Sequence, residues 1–325
     1  KGVLNLTGIV NTPKLTKKRD FYFDNVKFFL ILIVVATHTF SPVIGESWGL
    51  ERLFYFIYTF HMPAFIIVSG YFMKYIKNLN KYVIKYSKIY LFIQTLYFLV
   101  FKFVLKVEID LTYSDPYYTY WFMFCLIIWY VIFPQVKDLK GILSIAVAAG
   151  IAVGYDENFG LFMSLSRVVV FFPYFLIGHY LKKEHIITVK QSKWKYIIWV
   201  ACIVIAYILL KYDIIARPLL QGKSSYALVG YDMWYAGLYR LALYGVGVLF
   251  SFGFFLLIPD GEKMYSKLGA QTLYVYLIHG IILKVLRNIG FYEVFNGMEL
   301  VLIGVLFGLV LTVLVQVVRS KVNPS

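Results

Sequence analysis

The sequence predicts an all-α, polytopic integral membrane protein of about ten transmembrane helices, with both termini in the cytosol. Three observations predict it. The 325-residue chain is 61% hydrophobic and only 15% charged, a balance that excludes soluble globular domains and disordered chains. Apolar runs of helical length recur from end to end, at about 27–43, 53–73, 83–105, 118–134, 141–154, 164–181, 196–211, 233–258, 269–287 and 299–318. Basic residues crowd into every second connection, as loops retained in the cytosol do.

Taken in order, the elements keep that alternation. Residues 1–22 carry Lys14, Lys17, Lys18 and Arg19 and are expected in the cytosol. The first run follows Phe23-Asp24-Asn25-Val26-Lys27, ends near Thr37-His38-Thr39, and leads to Glu46 and Glu51 on the opposite side. The second returns to Lys74, Lys77, Lys81, Lys85 and Lys88, the third leads out to Glu108, Asp110 and Asp115, and the fourth returns to Lys137 and Lys140. The fifth, Gly141 to Gly154, is short and rich in small residues, which fits burial between helices or a re-entrant segment. Asp156 and Glu157 follow it, and the sixth returns to Lys182, Lys183, Lys190, Lys193 and Lys195. The seventh leads to the longest outer connection, residues 212–232, with Arg217-Pro218, Gly222 and Ser224-Ser225; it reads as a lid, an acceptor-recognition loop or a plain connector. The eighth returns to Lys263 and Lys267, the ninth leads to Glu293 and Glu299, and the tenth closes on Arg319 and Lys321. An odd number of spans would break the pattern.

The same facts exclude other classes. A net charge of +15 invites nucleic-acid binding, but positive-inside topology already accounts for it. The 20% aromatic content suits lipid-facing surfaces and interfacial belts. Cys125 and Cys202 fall inside apolar runs and are expected to be reduced and structural, with no disulfide or metal framework. The first apolar run is too long for a cleavable signal peptide. The chain begins at Lys1 rather than Met, so residues ahead of it are allowed for. The Asn5-Leu6-Thr7 sequon falls in the expected cytosolic segment and carries no weight. Residues 1–325 read as one membrane domain, without a soluble appendage or a strong internal repeat.

Ionisable groups inside apolar runs are costly and mark function by default. Ten residues separate Lys27 from His38, which on a helix rising ~1.5 Å per residue is roughly 16 Å. Lys27 then lies at a membrane face and His38 near the midplane. Counted from their helix ends, His61 and His279 reach a similar depth. A neutral imidazole accepts a proton from a hydroxyl near pH 7 and so serves as a general base; the competing role is interhelical hydrogen bonding. A metal site of histidines alone lacks support from any intramembrane carboxylate or thiolate cluster. His179 and His185 fall at or beyond a cytosolic helix end and read as interfacial. Arg167 and Arg240 also enter apolar runs and need a partner or a polar cavity. At the cytosolic face Asp24, Asn25, Lys27, Ser69, Gly70, Lys74 and Lys77 offer cations and helix-end donors to a polyanion, although plain membrane anchoring explains them as well on composition alone.

Together these segments resemble the membrane acyltransferase-3 family, in particular its fucose 4-O-acetylase-like branch. The hallmark, Arg or Lys followed after ten residues by His, is matched by Lys27 and His38. The branch's opening resembles Arg19-Asp20 and Phe23-Asp24-Asn25, and its second-helix signature Phe60-His61-Met62-Pro63 through Ser69-Gly70-Tyr71-Phe72. Trp121-Phe122, then Arg167 with Phe172-Pro173 and Gly178, then Leu268-Gly269, Thr272-Leu273-Tyr274 and His279 are similar to the later motifs. Two departures stand out. Lys27 takes the place of the commoner Arg, a point charge without the planar fork. There is also no fused extracytoplasmic esterase-like domain, so the chain is expected to acylate its acceptor itself or pass the acyl group to a partner.

The resemblance implies a bacterial, multi-pass plasma-membrane O-acyltransferase using acyl-CoA from the cytosol as co-substrate, acetyl-CoA first with succinyl-CoA as the alternative, and no permanently bound cofactor. His38 is then the catalytic base, or the carrier of an acyl-histidine, with His61 and His279 orienting it or relaying its proton. Asp24, Asn25, Lys27, Ser69 and Lys74 would face the donor; Arg167, Arg240 and Trp121 would bind the acceptor or an oxyanion. The acceptor class is a carbohydrate: a cell-surface glycan, a lipid-linked sugar or a teichoic-acid-like polymer. A transporter or flippase for such a glycan is the alternative, since midplane His and Arg would also line a transport cavity.

Overall fold

The computed structural model describes residues 21–158, 164–212 and 216–322, and those residues are all-helical, with no strand among them. In chain order the helices are α1 (Phe21–Phe40), α2 (Trp48–Met73), α3 (Leu79–Leu99), α4 (Trp121–Val136), α5 (Ile142–Ala152), α6 (Leu165–Tyr180), α7 (Lys183–Gln191), α8 (Trp194–Tyr212), α9 (Arg217–Leu220), α10 (Gly237–Leu257), α11 (Ser266–Gly269), α12 (Thr272–Asn288) and α13 (Gly297–Val322). Each of the ten apolar runs has become a helix. Among the described residues six, α1, α2, α3, α8, α10 and α13, are long and apolar enough to cross a membrane; α4, α5, α6 and α12 are shorter, at 16, 11, 16 and 17 residues.

The boundaries differ where tertiary packing overrides hydropathy. The first helix already includes Phe21, ahead of Lys27, and Tyr22, Phe23, Asp24 and Asn25 on it are buried by neighbouring elements. Tyr22 donates to the Phe255 carbonyl at 2.8 Å, tying the start of α1 to the end of α10. The lysine-rich stretch after α6 contains α7, which charge alone marked only as a loop. A π-turn at Val100–Val104 extends α3. Lys14, Lys17, Lys18 and Arg19, expected in the cytosol, and the Arg19-Asp20 part of the first motif lie outside the described residues, as does 213–215 of the long connection.

α1 sits at the centre, packed against α13, α11, α2 and α12, while α2 in turn lies along α6 and α10. α8 runs at the margin with no buried residue. The α2–α6 contact is unusually close. A Cβ on Gly70 would come within 2.0 Å of the Phe175 carbonyl oxygen, and one on Gly178 within 1.9 Å of the Ile67 oxygen. Two helices meet backbone to backbone there, as small residues allow in an apolar bundle. Between α1, α2, α4, α6 and α12 this packing leaves open space. Gly178→Val is expected to lower the thermal midpoint of the detergent-solubilised protein, consistent with an overpacking cost of about 1–3 kcal/mol. Gly245→Ala, where an added Cβ meets nothing within 4 Å, should leave it unchanged or raise it. Equal melting of Gly178→Val and the parent would refute the close contact.

Candidate active site

α1 delivers Lys27 and His38 to the two ends of one cavity. Its volume is about 270 Å³, and between those residues its wall is mostly apolar, with Ile31, Val34, Phe65, Phe72 and Phe122 among the lining side chains and Ser69 beside them. Lys27 is held by Asp24, one turn earlier, at 2.9 Å, with its ammonium 5.2 Å from the centre of the Phe72 ring. A second cavity of about 260 Å³ starts at His38 and runs the other way. Its lining is polar: Ser41, Tyr58, His61, Arg167, Arg217, Gln221 and Lys223 contribute. His38, Met62 and Trp121 line both chambers, and of these three His38 alone has a side chain that can act as a base.

The three histidines are brought together unequally. His38 is half-buried and its ring centre lies 5.5 Å from that of His279. His61 and His279 are 1% and 0% exposed, so neither is open to a substrate as His38 is. His61 donates from Nδ1 to the Ile57 carbonyl at 2.8 Å, and His279 from Nδ1 to the Tyr276 carbonyl at 2.7 Å. A backbone carbonyl only accepts, so these bonds fix the proton on Nδ1 and leave the Nε2 lone pair. The Nε2 of His279 is buried without a hydrogen-bond partner.

His38 Nδ1 lies 3.2 Å from the Tyr118 hydroxyl. Tyr118 precedes α4 with φ at 49°, a left-handed conformation uncommon for a bulky residue. Gly280 opposite makes the room: a Cβ there would lie 3.1 Å from the Tyr118 ring. The Lys284 ammonium sits 4.7 Å from the centre of the same ring. Tyr118 is therefore wedged between α12 and His38.

Arg167 donates to the Gln221 carbonyl at 3.2 Å and lies 5.0 Å from the centre of the Trp121 ring, which is itself stacked on Phe171 at 5.2 Å. Arg167 and Trp121 thus form one wall of the polar chamber. Arg240 does not reach it. It is 3% exposed and donates to the Leu219 carbonyl at 2.6 Å, fastening α9 to α10. Two of the expected donor-side residues are likewise bonded elsewhere. Asn25 donates to the Pro259 and Gly261 carbonyls, both at 3.0 Å, and accepts from Ser266 at 2.6 Å. Lys74 donates to the Leu181 carbonyl at 2.5 Å, and its partial burial next to Lys182 lowers its pKa. Lys27 and Ser69 line the apolar chamber, with Asp24 behind Lys27.

Sequence reasoning missed Tyr118, Tyr58, Gln221, Arg217 and Lys223 as site residues. A signal existed for Arg217 and Lys223, since they are basic on the connection where positive-inside topology expects no excess of cations. Tyr118 had none, because its role depends on an unusual backbone conformation. No group of three metal-ligating side chains occurs among the described residues.

The described residues thus form a helical, apolar protein with two chambers that share a half-buried histidine. Comparison with known proteins defines the class. The acyltransferase domain of the acyltransferase-3 family matches residues 20–318, and the chain belongs to that family. It is an acyltransferase, which sets aside the transporter alternative. Nodulation protein NolL of Mesorhizobium japonicum is 23% identical over 342 residues, covering 95% of this chain and 88% of that protein. Nodulation protein NolL of Sinorhizobium fredii is 45% identical over 56 residues, 16% of this chain and 15% of that protein. No solved structure matches.

Replacing Tyr118 by Phe removes the hydrogen bond that orients His38, worth about 0.5–1.5 kcal/mol. Acyl transfer by Tyr118→Phe is expected to fall up to about tenfold, in kcat rather than KM. An unchanged kcat would remove Tyr118 from the site.

Proposed function

We propose that this protein moves an acetyl group from cytosolic acetyl-CoA to a hydroxyl of a cell-envelope glycan on the other side of the plasma membrane. The observation that carries the reading is the position of His38, the ionisable side chain that lines both chambers. We further propose ten crossings with both termini in the cytosol, an orientation that the loop-by-loop charge alternation supports. The apolar chamber then opens on the cytosolic side and the polar chamber on the outer side.

In this reading Lys27, steadied by Asp24, takes a donor phosphate near the chamber's mouth. The roughly 16 Å that the helix provides between Lys27 and His38 is spanned by the pantetheine arm along the apolar wall. The acceptor hydroxyl enters from the polar chamber. His38 donates Nδ1–H to the Tyr118 oxygen and uses Nε2 as the base. The hydroxyl proton passes to Nε2 and the acceptor oxygen attacks the thioester carbonyl carbon. The new C–O ester bond forms, the C–S bond breaks, and the departing thiolate takes the proton from the imidazolium, leaving CoA and the O-acetylated acceptor. Arg167, braced on Trp121, binds acceptor oxygens. His61 and His279 keep the surroundings of His38 ordered, each with its Nδ1 proton bonded to a backbone carbonyl. Arg240 acts at a distance, holding α9 and with it the Arg217 end of the chamber.

Two measurements test this with labelled acetyl-CoA. His38→Ala, inserted and folded, should lose about 10²–10⁴-fold in turnover, the usual contribution of a positioned general base; parent-like turnover would sink the assignment. Lys27→Ala should raise the KM for acetyl-CoA about tenfold or more, since a charge-assisted contact is worth ~1.5–3 kcal/mol. An unchanged donor KM would remove Lys27 from the phosphate site.

A further inference from the structure

Among the described residues, the polar chamber is lined by three cationic side chains, Arg167, Arg217 and Lys223, and by no carboxylate. The two arginines contact neutral groups. Arg167 bonds to the Gln221 carbonyl and lies near the Ser164 hydroxyl at 3.4 Å. The Arg217 guanidinium lies over the Phe54 ring at 4.5 Å. Lys223 has its pKa lowered by burial and by the charges of Arg167 and Arg217, so the three cations act on one another. Positive-inside anchoring does not explain Arg217 and Lys223, because they follow α8 on the connection read as facing outward. Concentrated like charge in a half-enclosed cavity is unfavourable unless an anion relieves it. Arginine forks match the planar or trigonal oxygens of carboxylate and phosphate groups. The chamber that opens at His38 is thus built to take negative charge together with a hydroxyl.

We infer that the acceptor is an anionic glycan, one that carries a phosphate or carboxylate close to the hydroxyl to be acylated, and that Arg217 and Lys223 recognise this group. The inference rests on the assignment of the polar chamber to the acceptor. It narrows the acceptor from carbohydrates at large to charged ones, phosphate-bearing units or uronic acids. Arg167, over the Trp121 ring, meets the sugar; Arg217 and Lys223 meet the charge.

The test uses the purified full-length chain in detergent with labelled acetyl-CoA and four surrogate acceptors: sn-glycerol 3-phosphate and glucuronate against glycerol and glucose. The anionic member of each pair is expected to show a kcat/KM about tenfold or more above its neutral partner. In Arg217→Gln/Lys223→Gln that ratio should collapse to about 1, while Lys223→Arg retains it. Equal kcat/KM for charged and neutral acceptors in the parent, or an undiminished ratio in the double variant, would overturn the proposal. So would a double variant in which the KM for acetyl-CoA rises instead, which would give these cations to the donor.

A binding arm stands apart from catalysis. Sn-glycerol 3-phosphate and glucuronate should raise the melting temperature of the parent and of His38→Ala, glycerol and glucose should not, and the double variant should lose the effect. Anion-dependent stabilisation with no acyl transfer would retain the anion site and overturn the transferase reading of this chamber. Transfer without any anion effect would do the reverse. Stabilisation by phosphatidylglycerol in the micelle but by neither soluble anion would assign the cations to lipid headgroups and overturn the proposal.

Discussion

The rest of the structure depends on keeping one imidazole, that of His38, in the middle of an apolar bundle while leaving it reachable. Buried completely, it would bond back to its own helix, as His61 and His279 do to carbonyls one turn earlier. Exposed to lipid, it would carry an uncompensated desolvation cost. The bundle avoids both by opening a chamber on either side of the ring and supplying one hydroxyl, that of Tyr118, to hold it. The cost falls on the backbone, where Tyr118 adopts a left-handed conformation against Gly280.

The two chambers have opposite chemistry because different elements build them. The first is walled by helices of the bundle, α1, α2, α3, α4 and α12, which turn mostly apolar side chains into it. The second is roofed by α9 and the residues after it. That segment does not need to be apolar, and its fixed position comes from polar ties. Arg240 reaches from α10 to the Leu219 carbonyl, Ser166 donates to the Gly222 carbonyl at 2.8 Å, and Arg167 donates to Gln221. A connection held this way presents charged residues at set positions instead of trailing them in solvent. The same division separates two uses of charge. Lys27, Arg167, Arg217 and Lys223 sit on cavity walls, whereas the lysines of the basic connections line neither chamber, and Lys190 among them pairs with Asp260 at 2.8 Å.

Much of this was legible in residue order. Each of the ten apolar runs is a helix, because hydropathy over a helix length is a local property, and six of the described helices are long and apolar enough to cross a membrane. Lys27 and His38, with ten residues between them on α1, both line the apolar chamber, because a straight helix carries them along one wall. Asn25, Lys74 and Arg240 were less legible. Each is polar in an apolar setting and so needs a partner, and only the fold shows that the partner is a backbone carbonyl rather than a substrate. Gly70 and Gly178 belonged to recognisable motifs, yet their reason, backbone contact between α2 and α6, requires both helices to be in place.

The sequence by itself determined the helical class, the membrane setting, the family and the first helix as the one that carries lysine and histidine. These follow from composition, periodicity and short motifs, each read within a single segment. Only the tertiary structure decided that His38 is shared by two chambers, that Tyr118 orients it, and that Arg167, Arg217 and Lys223 converge on one of them. Those facts depend on how α1, α2, α4, α6, α9 and α12 pack. Van der Waals fit and hydrogen bonds between segments as far apart as Tyr118 and His38, or Arg240 and Leu219, set that packing, and neither leaves a period in the sequence.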